Sequence, residues 1–199
     1  MSSTPSKSSF QRRREILRAK ARRRLRVETL EERRLLAVVA ADGFESGNFA
    51  GGSEQWDTGS WVASGDATVR SDTSPASGSK HARLRRSTGD LQRTVDVTGL
   101  TDVRLQFSAK LISFEGSDRA DVKVSGDGTN WTTLQSFVNG DDDGQYHDYD
   151  LAVPDQGNTL HVRFDAGMSG SGDYWFLDNV QVTGTQAGPP TVSISDAEA

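Results

Sequence analysis

The run Val103-Arg-Leu105-Gln-Phe107-Ser-Ala109-Lys-Leu111 decides the fold class of this chain. Apolar side chains occupy every odd position and polar ones every even position, which is the pattern of a strand with one buried face. Similar runs recur at Ala120–Val124, Leu160–Phe164 and Tyr174–Val182. Between the first two of these, Ser125–Trp131 contains an Asp-Gly pair, which supplies the positive φ that hairpin turns need.

About ten such short runs follow one another between residues 42 and 184, separated by turn residues and without a helical period. This spacing predicts two antiparallel sheets packed face to face. We therefore expect an all-β fold, an antiparallel jelly-roll-like β-sandwich, preceded by a basic and helical N-terminal leader.

The composition excludes several classes of protein. The 199 residues include no Cys, so a disulfide framework, a cysteine zinc site and a thiol nucleophile are ruled out. The longest apolar run, Leu35–Ala41, is far shorter than the roughly 18 residues of a transmembrane helix. We expect a monomer with one core and no transmembrane segment.

The charge is divided between two parts of the chain. Residues 1–36 carry twelve Lys/Arg against four acidic residues, whereas the chain as a whole has a net charge of −5. Gln11–Leu36 lacks Gly and Pro and is rich in helix-forming residues. We therefore divide the chain into a basic leader (residues 1–41), the sandwich (42–184) and a linker with the start of a further strand (185–199).

The leader has three interpretations. Arginines could bind nucleic-acid phosphates, or the apolar run before Ala41 could belong to a short secretion signal. The third rests on Leu30-Glu31-Glu32-Arg33-Arg34-Leu35-Leu36, which resembles the LEPR-XLL segment of large bacterial surface and exported proteins, with Glu32 in place of proline. This resemblance implies a secreted or cell-surface location, so we expect no nucleic-acid partner.

Three segments of the body resemble the MAM-like jelly-roll modules of extracellular bacterial proteins. They are Asp42–Phe49, Ser125–Trp131 and Trp175–Val180. The resemblance implies a non-catalytic sandwich of the kind attached to proteases, glycosidases and adhesins. In the tail, Thr191–Ala197 resembles the first strand of a Calx-beta or cadherin-like repeat, although a frayed terminus explains it equally well.

Asp178 is the first candidate for a metal ligand. By period two it shares a face of its strand with Phe176, Val180 and Val182. A buried carboxylate needs a hydrogen-bonding partner or a metal ion. Glu45, predicted in the first strand beside the last one, would complete a calcium site with backbone carbonyls. The resemblance also implies structural calcium, and the alternative is that Asp178 accepts backbone N–H groups without a metal.

A second calcium candidate is the acidic segment that starts at Asn139. It places Asn139, Asp141, Asp143 and Asp150 at positions 1, 3, 5 and 12 of a calcium loop. The flanking segments have strand patterns rather than helical ones. We interpret the segment as a solvated acidic hairpin loop, with a second calcium site as the alternative.

Catalytic motifs are missing from the sequence, and aromatic residues indicate binding instead. The three histidines lack zinc-site spacing, and no Gly-x-Ser-x-Gly elbow exists.

Sugars stack on exposed aromatic rings. The candidate ligand-binding residues are Trp56, Trp61 and Tyr146, with Trp56 expected to be the most exposed. Trp131 and Trp175 are expected in the core. The arginines Arg83, Arg85 and Arg86 are interpreted as solvated strand positions.

These observations predict a protein that binds rather than catalyses. We expect a non-catalytic extracellular or cell-surface module for binding or adhesion, stabilised by structural calcium, with a surface glycan or an extracellular protein as partner. The alternatives are a carbohydrate-binding accessory module of a secreted hydrolase or protease, and a fragment of a hydrolase.

Overall fold

A computed structural model describes residues 35–53, 56–57 and 59–186. Within these residues the protein consists of nine β-strands joined by turns and loops, and no helix is long and apolar enough to cross a membrane. The strands are β1 (Leu35–Asp42), β2 (Val62–Arg70), β3 (His81–Asp96), β4 (Leu100–Ile112), β5 (Arg119–Ser125), β6 (Thr132–Val138), β7 (His147–Ala152), β8 (Thr159–Gly167) and β9 (Tyr174–Gln186). The predicted all-β sandwich is confirmed.

All strand pairs are antiparallel, in the order β6-β5-β8-β3-β9-β4-β7, with β1 beside β9 and β2 beside β3. The first part of β3 pairs with β9, whereas residues 90–96 pair with β8. The sheet therefore folds over along β3 into two layers. We call β1, β2, the start of β3, β9, β4 and β7 the front layer, and the end of β3, β8, β5 and β6 the back layer.

A glycine in β2 allows β3 to bend. Gly65 has φ +58°, and a Cβ atom there would lie 2.0 Å from the carbonyl oxygen of Thr88. The ladder between β2 and β3 is irregular at this point, between Ser64 and Asp66. Bulges of this kind bend strands and increase their twist. Any side chain at position 65 would push the two strands apart where β3 leaves the front layer.

Strand β4 shows why the alternating pattern produces a buried face. Leu105, Phe107, Ala109 and Leu111 are at most 2% exposed. The intervening polar positions point to the other side of the sheet, as period two requires. The run Val103–Leu111 therefore forms a strand of the front layer with one buried face, as its pattern predicts.

Aromatic rings from both layers meet in the core. Phe164 of the back layer lies 5.4 Å from Phe107 and 5.6 Å from Trp175, measured between ring centroids. At the side of the sandwich, Phe137 of β6 packs edge-on against Tyr149 of β7 at 5.0 Å. The predicted burial of Trp175 is confirmed, because this side chain has no exposed surface.

Both predicted ends of the sandwich need correction. β1 starts at Leu35 and pairs with β9, and Val39 and Ala40 lie in the core. The apolar run assigned to the leader is therefore the first strand, and the boundary after residue 41 is wrong. β9 continues to Gln186, past the predicted end at 184. The predicted leader up to residue 34 and the strand at Thr191–Ala197 lie outside the described residues.

The two predicted hairpins have different outcomes. β5 and β6 pair directly, and the Asp127 carboxylate caps the turn by accepting the N–H groups of Thr129 and Asn130. The hairpin at Ser125–Trp131 is thus confirmed. The acidic segment after β6 is not a hairpin, because β6 and β7 stand at opposite ends of the strand order and pair with other strands.

Candidate functional site

The outer side of the front layer is lined by polar and aromatic side chains from four strands. In β9, Trp175 and Leu177 enter the core. The alternate residues Tyr174, Phe176 and Asp178 therefore lie on the outer side. We call this surface the front face; it is formed by Asp66 and Thr68 of β2, His81, Arg83 and Arg85 of β3, Ser108 and Lys110 of β4, and Tyr174, Phe176 and Asp178 of β9.

A bulge in β9 directly after Asp178 separates its face from that of the valines that follow in the strand. Asn179 adopts φ 51°, and the ladder to β4 loses its regular register at this point. The bulge shifts the alternation by one residue, so Val180 and Val182 return to the core. The prediction that Asp178 shares a face with these two valines is wrong, because period two holds only along an unbroken strand.

Backbone N–H groups of β9 and of the loop between β2 and β3 bind Asp178. Ser77 N–H donates to its Oδ2 atom at 3.0 Å, and Asn179 N–H donates to Oδ1 at 2.7 Å. The carboxylate is fully buried. Burial raises the pKa of Asp178 above its ordinary value, and the nearby charge of Glu45 adds to the rise. Asp178 and Glu45, the two carboxylates predicted to bind calcium, therefore lie close enough for their charges to interact.

Glu45 binds the same loop a few residues further on. It accepts the N–H groups of Ser79 at 3.0 Å and Lys80 at 2.9 Å. These backbone hydrogen bonds hold the pKa of Glu45 below its ordinary value. Glu45 lies in the turn after β1 rather than in the first strand, which corrects the predicted position. In the described ranges, no group of three or more His, Cys, Asp or Glu side chains could hold a metal ion.

The second predicted calcium site is not assembled. Asp141 accepts Val138 N–H at 2.9 Å, and Asp143 contacts His147 Nε2 at 2.8 Å. Asp150 lies in β7 and pairs with Arg104 across to β4. Each carboxylate is directed to a different local partner, and Asn139 belongs to the turn after β6. The loop positions of the sequence motif therefore do not converge, because the flanking strands lie in different layers.

Trp56 and Trp61 are buried around an ion pair, so the predicted exposure of Trp56 is wrong. They are 8% and 3% exposed. The Arg93 guanidinium carbon lies 4.8 Å and 5.8 Å from their ring centroids. Arg93 binds the buried Asp42 carboxylate at 3.1 Å, and Trp61 Nε1–H donates to the same carboxylate at 2.9 Å. The two rings shield this ion pair from water. Their faces are covered by this packing, so they are not available to stack on a sugar.

Tyr146 belongs to a closed cluster at the centre of the front face. A 2.5 Å hydrogen bond joins its hydroxyl to Nδ1 of His81, whose ring lies 4.5 Å from that of Phe176. Lys110 Nζ lies 4.5 Å from the Tyr146 ring centroid and donates to the backbone carbonyl of Thr73. Burial raises the pKa of Tyr146 and lowers that of His81 to about 4. Of the predicted ligand-binding residues, Tyr146 alone lies on the front face.

The part of the front face beyond this cluster is more open and is centred on Tyr174, which is half-buried. The guanidinium carbons of Arg83 and Arg85 lie 5.6 Å and 5.9 Å from its ring centroid. Asp66 binds Arg85 at 2.7 Å. We call these four residues, together with Thr68 and Arg86, the Arg–Tyr patch.

Several buried polar atoms at this end of the front face have no hydrogen-bond partner. In the described part of the chain there are six such side-chain atoms, and four of them lie on this face. They are Thr68 Oγ1, His81 Nε2, Arg83 Nε and Arg85 Nε. A buried polar atom left unpaired costs about 1–3 kcal/mol, so each of these atoms would gain from a hydrogen bond to water or to a ligand.

Sequence reasoning missed the Arg–Tyr patch. The interpretation of Arg83 and Arg85 as solvated positions is wrong, since their side chains are only 12% and 23% exposed. Trp131, predicted in the core, is half-buried near Arg163, on the outer side of the back layer. The available signal was the alternation in β3, where Arg83 and Arg85 flank the buried Leu84 and so must share one face.

A polar groove of about 340 Å³ occupies the other end of the outer side of the front layer. Its lining comes from β4, β7 and β9 and consists of Gln106, Phe107, Ser108, Asp148, Tyr149, Asp150, Asn179 and Gln181. Amide and carboxylate side chains make up most of this lining. The loop between β2 and β3 lies between the groove and the Arg–Tyr patch, because it contacts both Lys110 and Asp178.

Comparison with known proteins shows similarity in structure. No protein-family model and no curated protein sequence matches the chain significantly. The CBM22-1 xylan-binding domain of Xyn10C from Paenibacillus barcinonensis is 15% identical, with a TM-score of 0.51 over 78% of this chain and 99% of that chain. The CBM22-1–CBM22-2 tandem domain of the same protein is 16% identical, with a TM-score of 0.55 over 78% of this chain and 48% of the tandem. At this identity the likeness shows a shared β-sandwich fold.

Proposed function

We propose that the protein is a non-catalytic glycan-binding module and that the Arg–Tyr patch holds the sugar. The observation that carries this proposal is the group of unpartnered polar atoms around a half-buried aromatic ring. A sugar has an apolar face of C–H groups and a rim of hydroxyls. An aromatic ring with hydrogen-bonding groups beside it matches both features.

The chemistry of the individual atoms supports a ligand rich in hydroxyl groups. The Nε atoms of Arg83 and Arg85 are donors, whereas Thr68 Oγ1 both donates and accepts. Hydroxyls of a sugar serve either role, so one ligand could satisfy all three. The similarity in fold to a xylan-binding domain agrees with a sugar as ligand. An extracellular protein partner fits less well, because the patch offers one ring rather than a broad apolar surface.

We place this module outside the cell, as a secreted or surface-displayed protein with a role in adhesion to glycans. The support is the LEPR-XLL-like segment Leu30–Leu36, whose last two residues, Leu35 and Leu36, are the first residues of β1. Glycans of cell surfaces and of the surrounding matrix would then be the accessible partners.

The test is retention of the full-length chain by immobilised or gel-embedded glycans, with xylan, galactan and polygalacturonate as probes. Tyr174→Ala removes the ring of the patch, and we expect it to weaken binding about tenfold or more. Trp131→Ala is the matched control, because Trp131 is also a half-buried ring with an arginine near it, on the back layer.

Two results would contradict the proposal. Failure of the wild-type chain to bind any of the three glycans would remove the assigned function. Loss of binding in Trp131→Ala but not in Tyr174→Ala would move the site to the back layer. Far-UV circular dichroism of each variant establishes that the sandwich is intact.

We propose in addition that Glu45 and Asp178 hold a structural calcium ion. The two carboxylates repel each other, which contributes to the raised pKa of Asp178. A cation between them would relieve this repulsion. A carboxylate has about four lone-pair sites, so the backbone hydrogen bonds of Asp178 leave room for a metal bond. Asn179 Oδ1, which already accepts the Ser77 hydroxyl at 2.6 Å, is a neighbouring oxygen. Backbone carbonyls would have to supply the remaining ligands.

Thermal unfolding of the full chain in calcium and in EGTA tests this proposal. We expect calcium to raise the melting temperature and Asp178→Asn to abolish the rise, because Asn keeps the size of the side chain and removes its charge, although its amide nitrogen cannot accept one of the two backbone N–H groups. Magnesium at equal ionic strength is the control, since it demands a smaller and more regular oxygen shell. Equal melting temperatures in calcium, magnesium and EGTA would make Asp178 a hydrogen-bonded carboxylate with no metal.

A further inference from the structure

Positive charge exceeds negative charge in the Arg–Tyr patch. Among the described residues, Asp66 is the carboxylate within 4.0 Å of these three guanidinium groups, at 2.7 Å from Arg85, 3.7 Å from Arg86 and 4.0 Å from Arg83, whereas Asp72 acts on Arg83 from further away. One negative charge cannot neutralise three positive ones. The imbalance is unusual for this chain, because the part after residue 36 is strongly acidic overall.

Arg83 has the poorest set of partners of the three arginines. Its side chain is 12% exposed, and within the described residues its nearest carboxylate is Asp66 at 4.0 Å. Its Nε atom is buried without a partner. Burial lowers the pKa of Arg83, and the charges of Arg85 and Arg70 lower it further. The site thus holds a largely desolvated guanidinium that lacks a close counter-ion.

We propose that the sugar bound by the patch is acidic, carrying a carboxylate or a sulfate group, and that Arg83 binds this anion. The inference rests on the proposed glycan-binding function and names its ligand class. A guanidinium binds carboxylate and sulfate through two parallel N–H bonds, which adds specificity to the charge attraction. The anion would supply the counter-charge and the acceptors that Arg83 lacks.

The geometry suits a sugar ring with an exocyclic anionic group. The Tyr174 ring centroid lies 5.6 Å from the Arg83 guanidinium carbon. A sugar packed on the tyrosine would therefore have its exocyclic group beside Arg83. Arg85 is less suited to this role, because Asp66 and the Ser171 carbonyl already bind its terminal nitrogens.

The experiment compares the affinities of full-length variants for polygalacturonate, dextran sulfate, xylan and galactan. We expect Arg83→Gln to weaken binding to an acidic glycan about tenfold more than binding to a neutral one, because the neutral glycan loses only the hydrogen bond from Nε whereas the acidic one also loses its counter-charge. Arg83→Lys keeps the charge but loses the fork of donors, so we expect an intermediate loss. Loss for polygalacturonate alone assigns a carboxylate, and loss for dextran sulfate alone assigns a sulfate.

The matched control is Arg119→Gln, which removes the same charge from an arginine paired with Asp121 on the back layer. Every variant keeps the twelve Lys/Arg of residues 1–36, so non-specific attraction of polyanions is the same in all. Equal weakening in Arg119→Gln and Arg83→Gln would overturn the inference. Neutral glycans that bind as tightly as acidic ones would also overturn the inference. If Tyr174 were still required for that binding, the proposed function would remain supported. Binding to no glycan would overturn both.

Discussion

His81 is a fully buried side chain whose ring is packed against Phe176 and hydrogen-bonded to Tyr146. Its pKa is lowered to about 4 by burial and by the charge of Lys110, with Arg83 adding to the effect and Asp72 opposing it. Neutral histidine is therefore the form that the folded protein accommodates. The cluster around Tyr146 consequently loses stability when His81 is protonated.

The first prediction concerns the pH dependence of stability. Between about pH 6.5 and 4 the unfolded chain binds a proton at His81 that the folded chain excludes. The free energy of unfolding therefore decreases by roughly 3 kcal/mol as the pH is lowered through this range. The raised pKa of Asp178 acts in the opposite direction, because its protonation favours the folded state. Denaturant unfolding of wild type and His81→Gln at several pH values isolates the histidine. If the free energy of unfolding varied with pH in the same way in wild type and in His81→Gln, His81 would not be the group responsible.

The second prediction concerns the ion pair between Asp42 and Arg93. Both side chains are almost fully buried, at 2% and 4% exposure. We expect Asp42→Ala to lower the free energy of unfolding by about 3–5 kcal/mol, because it removes the buried carboxylate that binds both the Arg93 guanidinium and Trp61 Nε1–H. Asp72→Ala is the control, since Asp72 forms an exposed ion pair with Arg70. Chemical denaturation should show a loss of at most about 1 kcal/mol for the control. Similar losses in both variants would contradict the buried role.

At the level of the element, β1 is the least expected strand, since its residues read as the end of a basic leader. Its pairing with β9 from Leu35 onward makes it part of the front layer. Neighbouring valines of β1 have opposite environments: Val39 is 6% exposed and Val38 is 58% exposed. This contrast offers a direct test of whether the strand belongs to the sandwich.

The third prediction is that Val39→Asp unfolds or severely destabilises the protein, whereas Val38→Asp does not. An unpaired charge at the buried position costs several kcal/mol, and the same charge at the exposed one remains in water. Melting temperatures of the two variants provide the measurement. Equal melting temperatures for the two variants would contradict the assignment of β1 to the sandwich.

At the level of the whole molecule, the two layers share strands rather than merely packing together. β3 pairs with β9 in one half and with β8 in the other. Rings of both layers contact one another through Phe164. Neither layer can keep its core face buried when the other unfolds.

The fourth prediction is therefore a single cooperative unfolding transition for the sandwich. Three tryptophans report on its core, namely Trp56, Trp61 and Trp175. We expect tryptophan fluorescence and far-UV circular dichroism to give the same denaturation midpoint. Two separate midpoints would show that the layers unfold independently.

Much of the fold could be predicted from local pattern. The alternation in β4 places Phe107 and Leu111 in the core, and the Asp-Gly turn joins β5 to β6. Both features depend on residues close in the chain, where side-chain period and turn geometry act directly. Strand β1 escaped prediction because its short apolar run is buried by a strand more than a hundred residues away.

The candidate site depended on longer-range structure. That Asp178 does not share a face with Val180 and Val182 follows from a bulge that is set by the pairing of β9 with β4. The burial of Trp56 follows from Arg93, which approaches it from another strand. By itself the sequence determined the fold class and which side of β3 carries Arg83 and Arg85, because period two is a local property of the backbone. Only the tertiary structure decided that Tyr174 lies beside them, since strand order is determined by how the whole sheet closes over its core.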